Sequence, residues 1–326
     1  MSRVLVTGGA GYVGAVLVPR LLEAGHAVTT LDLFLFGDHL PPDSDRLVRV
    51  TGDIRDEALL RRLVPGHDAV IHLACISNDP SFDLDPALGR SINYDCFPTL
   101  VRLAKDAGVT RFVYASSSSV YGIRQEEDVT DEMPLAPLTD YSKYKALCEE
   151  ELLRAREPGF AVLILRPATV CGWSPRLRLD LTVNILTSCA VHNRRITVFG
   201  GQQQRPNIHI EDVADLYVQS LAWPAAAIDG QVFNAGYQNH TVMEIAQMVR
   251  AAVGGDVAIE VTPTDDHRSY HISSARIRQR LGYAPRHTIQ DAVHGLVQAF
   301  AAGRVPDALT DDRYYNIRTM QKLQLT

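Results

Sequence analysis

A chain of 326 residues, 46% hydrophobic and 21% charged, has enough apolar material to bury a large core, which excludes a disordered or collagen-like polymer. Its net charge of −6 works against binding a phosphate backbone, so nucleic acid is not expected as a partner, although a local basic pocket for one small anion remains compatible. No apolar run approaches a membrane span and the first strand begins at Arg3, so neither a membrane segment nor a leader is expected and the location reads as cytoplasmic.

In chain order, β-branched runs predict strands at Arg3–Thr7, Ala27–Asp32, Leu47–Val50, Ala69–Ala74, Arg111–Ala115 and Ala161–Arg166. Helical patterns fall between them near Val13–Ala24, Ser91–Ala107 and Tyr141–Arg156. This alternation is the signature of βαβ units, hence an α/β fold with a doubly wound parallel sheet. After Pro167 the rhythm becomes irregular, with helices at Thr241–Val253 and Ile289–Ala302. Residues 1–166 therefore read as one domain and 167–326 as mainly a smaller C-terminal α/β substrate domain, with some segments returning to the first. The polar stretch from Arg304 to Thr326 has no legible role. The five cysteines, Cys75, Cys96, Cys148, Cys171 and Cys189, are scattered without a CxxC pair or clustered histidines, so reduced thiols and no metal site are expected.

Thr7-Gly8-Gly9-Ala10-Gly11-Tyr12-Val13-Gly14 follows a strand and opens a helix. Glycines at 8, 11 and 14 allow a tight turn, close approach of backbone to a pyrophosphate and close helix packing, while the helix N-terminus offers donors. With Asp32 ending the second strand, the pattern is that of a Rossmann-type dinucleotide site. A carboxylate accepts from a ribose 2′-hydroxyl and repels a 2′-phosphate, which favours NAD over NADP. Asp53, after the third strand, could reach the adenine amino group or cap its own turn.

In Tyr141-Ser142-Lys143-Tyr144-Lys145, Tyr141 and Lys145 share a helical face, so the ammonium is expected to lower the phenol's pKa and make Tyr141 a general acid/base. The serine run Ser116–Ser119 lies past the fifth strand, at the sheet edge where such folds bind ligands.

These motifs, together with GDI, VIHLA, YASSSSVYG, LRPATVCG, RPNIHIEDVA and HRSY, resemble the extended short-chain dehydrogenase/reductase family, specifically its NAD-dependent nucleotide-sugar epimerases and dehydratases. By position, the resemblance implies that Ser117 hydrogen-bonds the reacting sugar oxygen, Tyr141 transfers the proton and Lys145 binds the nicotinamide ribose. It implies cofactor contacts at Gly8, Gly11, Tyr12, Val13, Gly14, Asp32, Asp53, Ile54, Leu73 and Ala74, with Asn93 supporting the framework. It also implies a nucleotide-diphosphate-sugar substrate near Ser77, Asn78, Ser118, Thr169 and Asn184, with Arg205 and Arg268 clamping the diphosphate. His209 reads as structural. Pro206-Asn207, Cys171 and the loop Ser77–Pro80 depart from the commoner pattern, leaving the sugar unnamed.

The family's 4,6-dehydratases resemble one another in an Asp-Glu pair directly after the active-site hydroxyl; here Ser118-Ser119 stand there. Hydroxyls at ordinary pKa cannot supply that acid and base, so epimerisation through a keto-sugar is the expected reaction. A ketoreductase or dehydrogenase using the same three residues is the alternative, and a non-catalytic NAD-sensing protein the remote one. By analogy, the helices bearing Asn93 and Tyr141 are expected to pair in a homodimer.

Overall fold

Val4, Leu5 and Val6 are fully buried, and burial of consecutive strand residues requires cover on both faces of the sheet. The computed structural model describes residues 1–124, 126, 128–254, 256–264 and 271–323. Its strands are β1 (Arg3–Thr7), β2 (Ala27–Asp32), β3 (Leu47–Thr51), β4 (Ala69–His72), β5 (Arg111–Ala115), β6 (Ala161–Pro167), β7 (Thr169–Cys171), β8 (Arg195–Phe199), β9 (Gln204–His209), β10 (Gln231–Ala235), β11 (Gln238–Thr241) and β12 (Ala258–Thr262). Seven of them form one sheet in the order β10-β6-β5-β4-β1-β2-β3, all parallel.

The two faces carry separate cores. Val4, Val6, Val113, Leu163 and Leu165 point into one, with Leu17 and Leu21 of the helix Gly14–Glu23. Leu5, Phe112, Tyr114, Val162 and Ile164 point into the other, with Phe97 and Leu100 of the helix Phe97–Asp106. That period-two partition along β1, β5 and β6 is what makes the sheet a doubly wound one. The chain leaves β1 for β2 on one side and resumes at β4 on the other. This reversal opens a crevice at the strands' carboxyl ends, the place where such sheets take ligands.

Several expected elements begin or end elsewhere by one or a few residues. β3 runs on to Thr51, and β4 stops at His72, although Leu73 still donates to the Thr7 carbonyl at 2.9 Å. The expected helix Ser91–Ala107 is divided into a π-helical turn, Ser91–Asp95, and an α-helix, Phe97–Asp106. Pro98, lacking an N–H, sits in that second helix's first turn, where no intrahelical donor is needed. The helix Asp140–Arg154 begins one residue early, because Thr139 and Ser142 form a capping box.

Beyond Pro167, β10 returns to pair with β6 in the large sheet. The remaining strands form a three-stranded sheet, β11-β9-β7, and a pair, β12-β8. Helices Thr182–Asn193, Val242–Val253 and Ile289–Ala301 enclose a third core around Val183, Ile196, Ile245 and Val293. The C-terminal stretch forms a short 3₁₀ turn, Asp312–Tyr314, and a helix, Asn316–Leu323. It is tied back to the body where Leu179 donates to the Tyr314 carbonyl at 2.8 Å. Among the described residues no helix is long and apolar enough to cross a membrane.

Candidate active site

The glycine loop is shaped by contacts that no side chain could survive. Gly8 has φ +76°, and a Cβ there would lie 2.6 Å from the Ala74 nitrogen; at Gly14 it would lie 2.6 Å from the Gly8 carbonyl oxygen and closer still to that of Gly9. Gly11 is less confined, its nearest neighbour the Gly8 oxygen at 3.2 Å. Among the described residues no side chain caps the helix Gly14–Glu23 that follows; Ala15 and Val16 donate to the Gly11 and Val13 carbonyls at 2.9 and 3.1 Å, and the helix's positive end opens at Gly14. Gly8, Gly11, Tyr12, Val13 and Gly14 all line one cavity of about 710 Å³, together with Leu73 and Ala74 beyond β4.

Asp32 closes β2 at the edge of that cavity. Its carboxylate accepts from the backbone N–H of Ala10 and of Phe34, each at 2.9 Å, which ties the strand end to the glycine loop. Burial raises its pKa, with the two N–H donors and Arg176 opposing. Asp53 and Ile54 line the same cavity, but the Asp53 carboxylate takes three contacts from the Arg55 side chain and one from its N–H. That bond to Arg55 lowers its pKa. Of the two roles weighed for Asp53, its geometry is that of a turn cap.

Across the crevice, Ser117, Tyr141 and Lys145 line the cavity together. Ser117 caps the 3₁₀ turn Ser118–Tyr121, and its Oγ accepts from the Ser119 N–H at 3.1 Å and the Ser119 hydroxyl at 2.9 Å. Those acceptor contacts leave the Ser117 proton to be donated, and a side-chain hydrogen bond joins Ser117 to Tyr141. The expected lowering of the phenol's pKa is not what the geometry produces. Burial raises Tyr141 well above its ordinary value, with Cys75 and Asp79 adding to the effect and the Ser117 bond opposing it. The Lys145 ammonium instead donates to the Ala115 carbonyl at 2.7 Å.

A cationic group that sequence reasoning missed completes the cavity. In Pro175-Arg176-Leu177-Arg178-Leu179-Asp180, the leucines are buried in the core and the three charged residues line the cavity. Arg178 donates from Nε to Asp180 at 2.9 Å and from Nη1 to Ser77 Oγ at 3.0 Å. Burial opposes charge on both members of this pair, yet each holds the other ionised: Arg178 is raised overall and Asp180 lowered. Arg176 is only 3% exposed, lies 3.8 Å from the Phe36 ring centroid and donates from Nη2 to Asn316 Oδ1 at 2.6 Å. Its Nε and Nη1 have no partner among the described residues. Burial, with Arg178 adding, pushes its pKa down to about 9.

Residues 4–236 match the model of the NAD dependent epimerase/dehydratase family. The chain belongs to that family. It is 32% identical over 312 residues to the UDP-glucose 4-epimerase of Mycolicibacterium smegmatis, covering 91% of this chain and 98% of the relative. It is 28% identical over 312 residues to the UDP-glucose 4-epimerase of Lactobacillus helveticus, covering 89% and 94%. Among solved structures it resembles the dTDP-glucose 4,6-dehydratase of Streptomyces venezuelae, solved with NAD bound, at 26% identity and a TM-score of 0.83, covering 93% of this chain and 98% of that one.

NAD is the cofactor of the epimerase/dehydratase family. The residues fit a dinucleotide: a loop too close for any Cβ at Gly8 and Gly14, an uncapped helix start and an orphaned buried guanidinium in the same cavity. Ser77, Asn78, Ser118, Thr169 and Arg205 also line it. Asn184, expected as a substrate contact, and Asn93, expected to support the framework, both stand behind its wall. The Asn93 amide is taken up by the backbone of Ile76, accepting at 2.8 Å and donating at 2.9 Å. Asn184 donates to the Tyr12 hydroxyl at 3.0 Å and to the Arg178 carbonyl at 2.8 Å, and accepts from the Gly172 N–H at 3.0 Å. Both hold neighbours of the cavity in position. Arg268 lies outside the described residues. The alternation of Arg176, Arg178 and Asp180 with leucines was the available signal; period two marks an extended segment with one polar face, and burial of that face is a tertiary fact.

Proposed function

We propose that this protein epimerises a nucleotide-linked sugar by transient oxidation to a keto-sugar and re-reduction. The observation that carries this reading is the meeting of Ser117, Tyr141 and Lys145 in one cavity with the glycine loop and Asp32. NAD, when bound, supplies hydride acceptance and return. Tyr141 takes the proton of the sugar hydroxyl as its carbon becomes a carbonyl, and gives a proton back when the other face is reduced. Ser117 donates to the reacting oxygen and fixes its position. The Lys145 ammonium provides the positive charge against which a Tyr141 phenolate forms.

Ser118 and Ser119, following Ser117, supply no acid–base pair for eliminating water, which favours epimerisation over 4,6-dehydration although relatives of both kinds match. Arg176, facing the glycine loop's side of the cavity, fits the cofactor diphosphate. Arg205, which lines the cavity, is assigned to the sugar nucleotide's diphosphate, and Arg268 by the resemblance alone. Residues 1–166 would then carry most of the cofactor site and later residues most of the substrate site, with β10 serving the first sheet. The reading includes a cytoplasmic location and a homodimer paired through the helical stretch that bears Asn93, residues 91–106, and the helix Asp140–Arg154, whose Leu147 is 37% exposed; light scattering of the purified protein tests the dimer, and a monomer mass at every concentration contradicts it.

The test of function is incubation with NAD and a panel of UDP-, GDP-, dTDP-, CDP- and ADP-sugars, followed by NMR. Inversion at one carbon without net NADH is the expected outcome. Stoichiometric NADH turnover would mark a dehydrogenase or reductase.

A further inference from the structure

The C-terminal stretch beyond Arg304 has no role in the reaction just described, yet Asn316 is only 5% exposed and lines the cavity. Its side chain and backbone make three contacts to two segments of the wall, the stretch 176–180 and the loop at Ser77. Oδ1 accepts from Arg176 Nη2 at 2.6 Å, Nδ2 donates to Ser77 Oγ at 3.0 Å, and the backbone N–H donates to Asp180 Oδ2 at 3.2 Å. Four residues on, Met320 also lines the cavity and packs on the cluster of Ile76, Phe82 and Leu88 that Tyr141 borders. The segment therefore touches both the cationic wall and the proton-transfer end.

Arg176 carries the meaning of this contact. A buried guanidinium with two unpartnered groups is costly unless an anion completes it, and Asn316 supplies one of its few polar contacts. The guanidinium lies over Phe36 and interacts electrostatically first with Arg178 and Asp180 beside it and then with Asp32 and Tyr12, the last two belonging to the strand end and loop on the dinucleotide side. The anion it awaits is accordingly the dinucleotide's diphosphate.

We propose that the C-terminal segment is a cofactor-retaining latch in which Asn316 is the positioning residue, holding Arg176 over the diphosphate site and closing the cavity at Ser77. This rests on the reading of Arg176 as a diphosphate ligand. An enzyme that returns its hydride in every turnover has no need to exchange cofactor, and a latch from outside the dinucleotide-binding half keeps it in place.

The test measures NAD and UDP binding by calorimetry and NAD dissociation by stopped flow on the full chain, comparing Asn316→Ala, Arg176→Gln and the double variant. Asn316→Ala is expected to weaken NAD about tenfold, the scale of one hydrogen bond to a charged group, mostly through faster dissociation, while UDP affinity stays within about twofold. Because Asn316 acts through Arg176, the double variant is expected to bind NAD no more weakly than Arg176→Gln alone. If Asn316→Ala does not fold, Asn316→Ser, which keeps a small polar group but cannot reach Arg176, gives the same comparison. NAD binding unchanged in the Asn316 variant but weakened in Arg176→Gln overturns the latch and leaves the diphosphate reading standing. NAD binding unchanged in both overturns both, as does a loss confined to UDP.

Discussion

Lys145 and Tyr141 share one face of the helix Asp140–Arg154, yet the Lys145 ammonium donates to the Ala115 carbonyl at 2.7 Å and stands 5.9 Å from the Tyr141 ring centroid. Spacing of four residues puts two side chains on one face; it does not choose the partner of a flexible ammonium. Here a backbone carbonyl at the end of β5 takes it, and burial dominates the phenol.

A pH dependence follows. Tyr141 must be ionised to accept a proton, and burial raises its pKa, so kcat for oxidation of the sugar should rise with pH. Replacing Lys145 by Met removes a cation that favours the phenolate, which moves this rise further up, by about one to two pH units at an effective dielectric of roughly 20. A pH–rate profile unchanged in Lys145→Met would contradict the electrostatic role.

Tyr141→Phe removes the proton carrier and leaves the cavity's shape. The expected loss in kcat is about 10²- to 10⁴-fold, the range for a positioned general acid/base, with NAD affinity little altered. Steady-state kinetics and calorimetry on the same preparation check both halves.

The glycine loop should show a graded response. Gly14→Ala drives a Cβ against the backbone oxygens of Gly8 and Gly9, whereas at Gly11 the nearest atom is at 3.2 Å. Gly14→Ala should cost about 1–3 kcal/mol by overpacking and Gly11→Ala clearly less. Urea unfolding of the cofactor-free proteins measures the difference.

His209 links acidity to stability. Burial, then His287, lowers its pKa to about 4, and its Nδ1 accepts from the Glu211 N–H at 3.1 Å to cap the helix Ile210–Ser220. The unfolded chain binds this proton at about pH 6.5 and the folded one only near 4. The stabilisation is therefore fully present above about pH 6.5 and lost as pH falls towards 4, by up to about 1.4 kcal/mol per pH unit from this group. His209→Asn keeps a capping oxygen without the titration, so its stability between pH 7 and 5 should fall less steeply than that of the parent chain.

What was legible in the sequence follows from how local each signal is. β1, β2 and β5 begin and end where apolar, β-branched runs predict, because a buried parallel strand has little choice of residue. The glycine loop and Asp32 were legible because each meets a steric or hydrogen-bonding demand within its own βα unit. Asn184 was misplaced because an asparagine's type does not reveal whether its amide faces a cavity or, as with Tyr12 here, the framework behind it. Arg176 and Asn316 escaped notice for another reason. They are 140 positions apart, and only folding brings the C-terminal segment over the cavity to give either residue a partner.

The most direct measurement is NMR of the sugar after incubation of the purified protein with NAD and the nucleotide-sugar panel, alongside Tyr141→Phe. One nucleotide sugar is expected to reach an equilibrium between two epimers with no net NADH, and the variant to lose that conversion. Net NADH in proportion to product, or unchanged inversion in Tyr141→Phe, would contradict the proposed reaction.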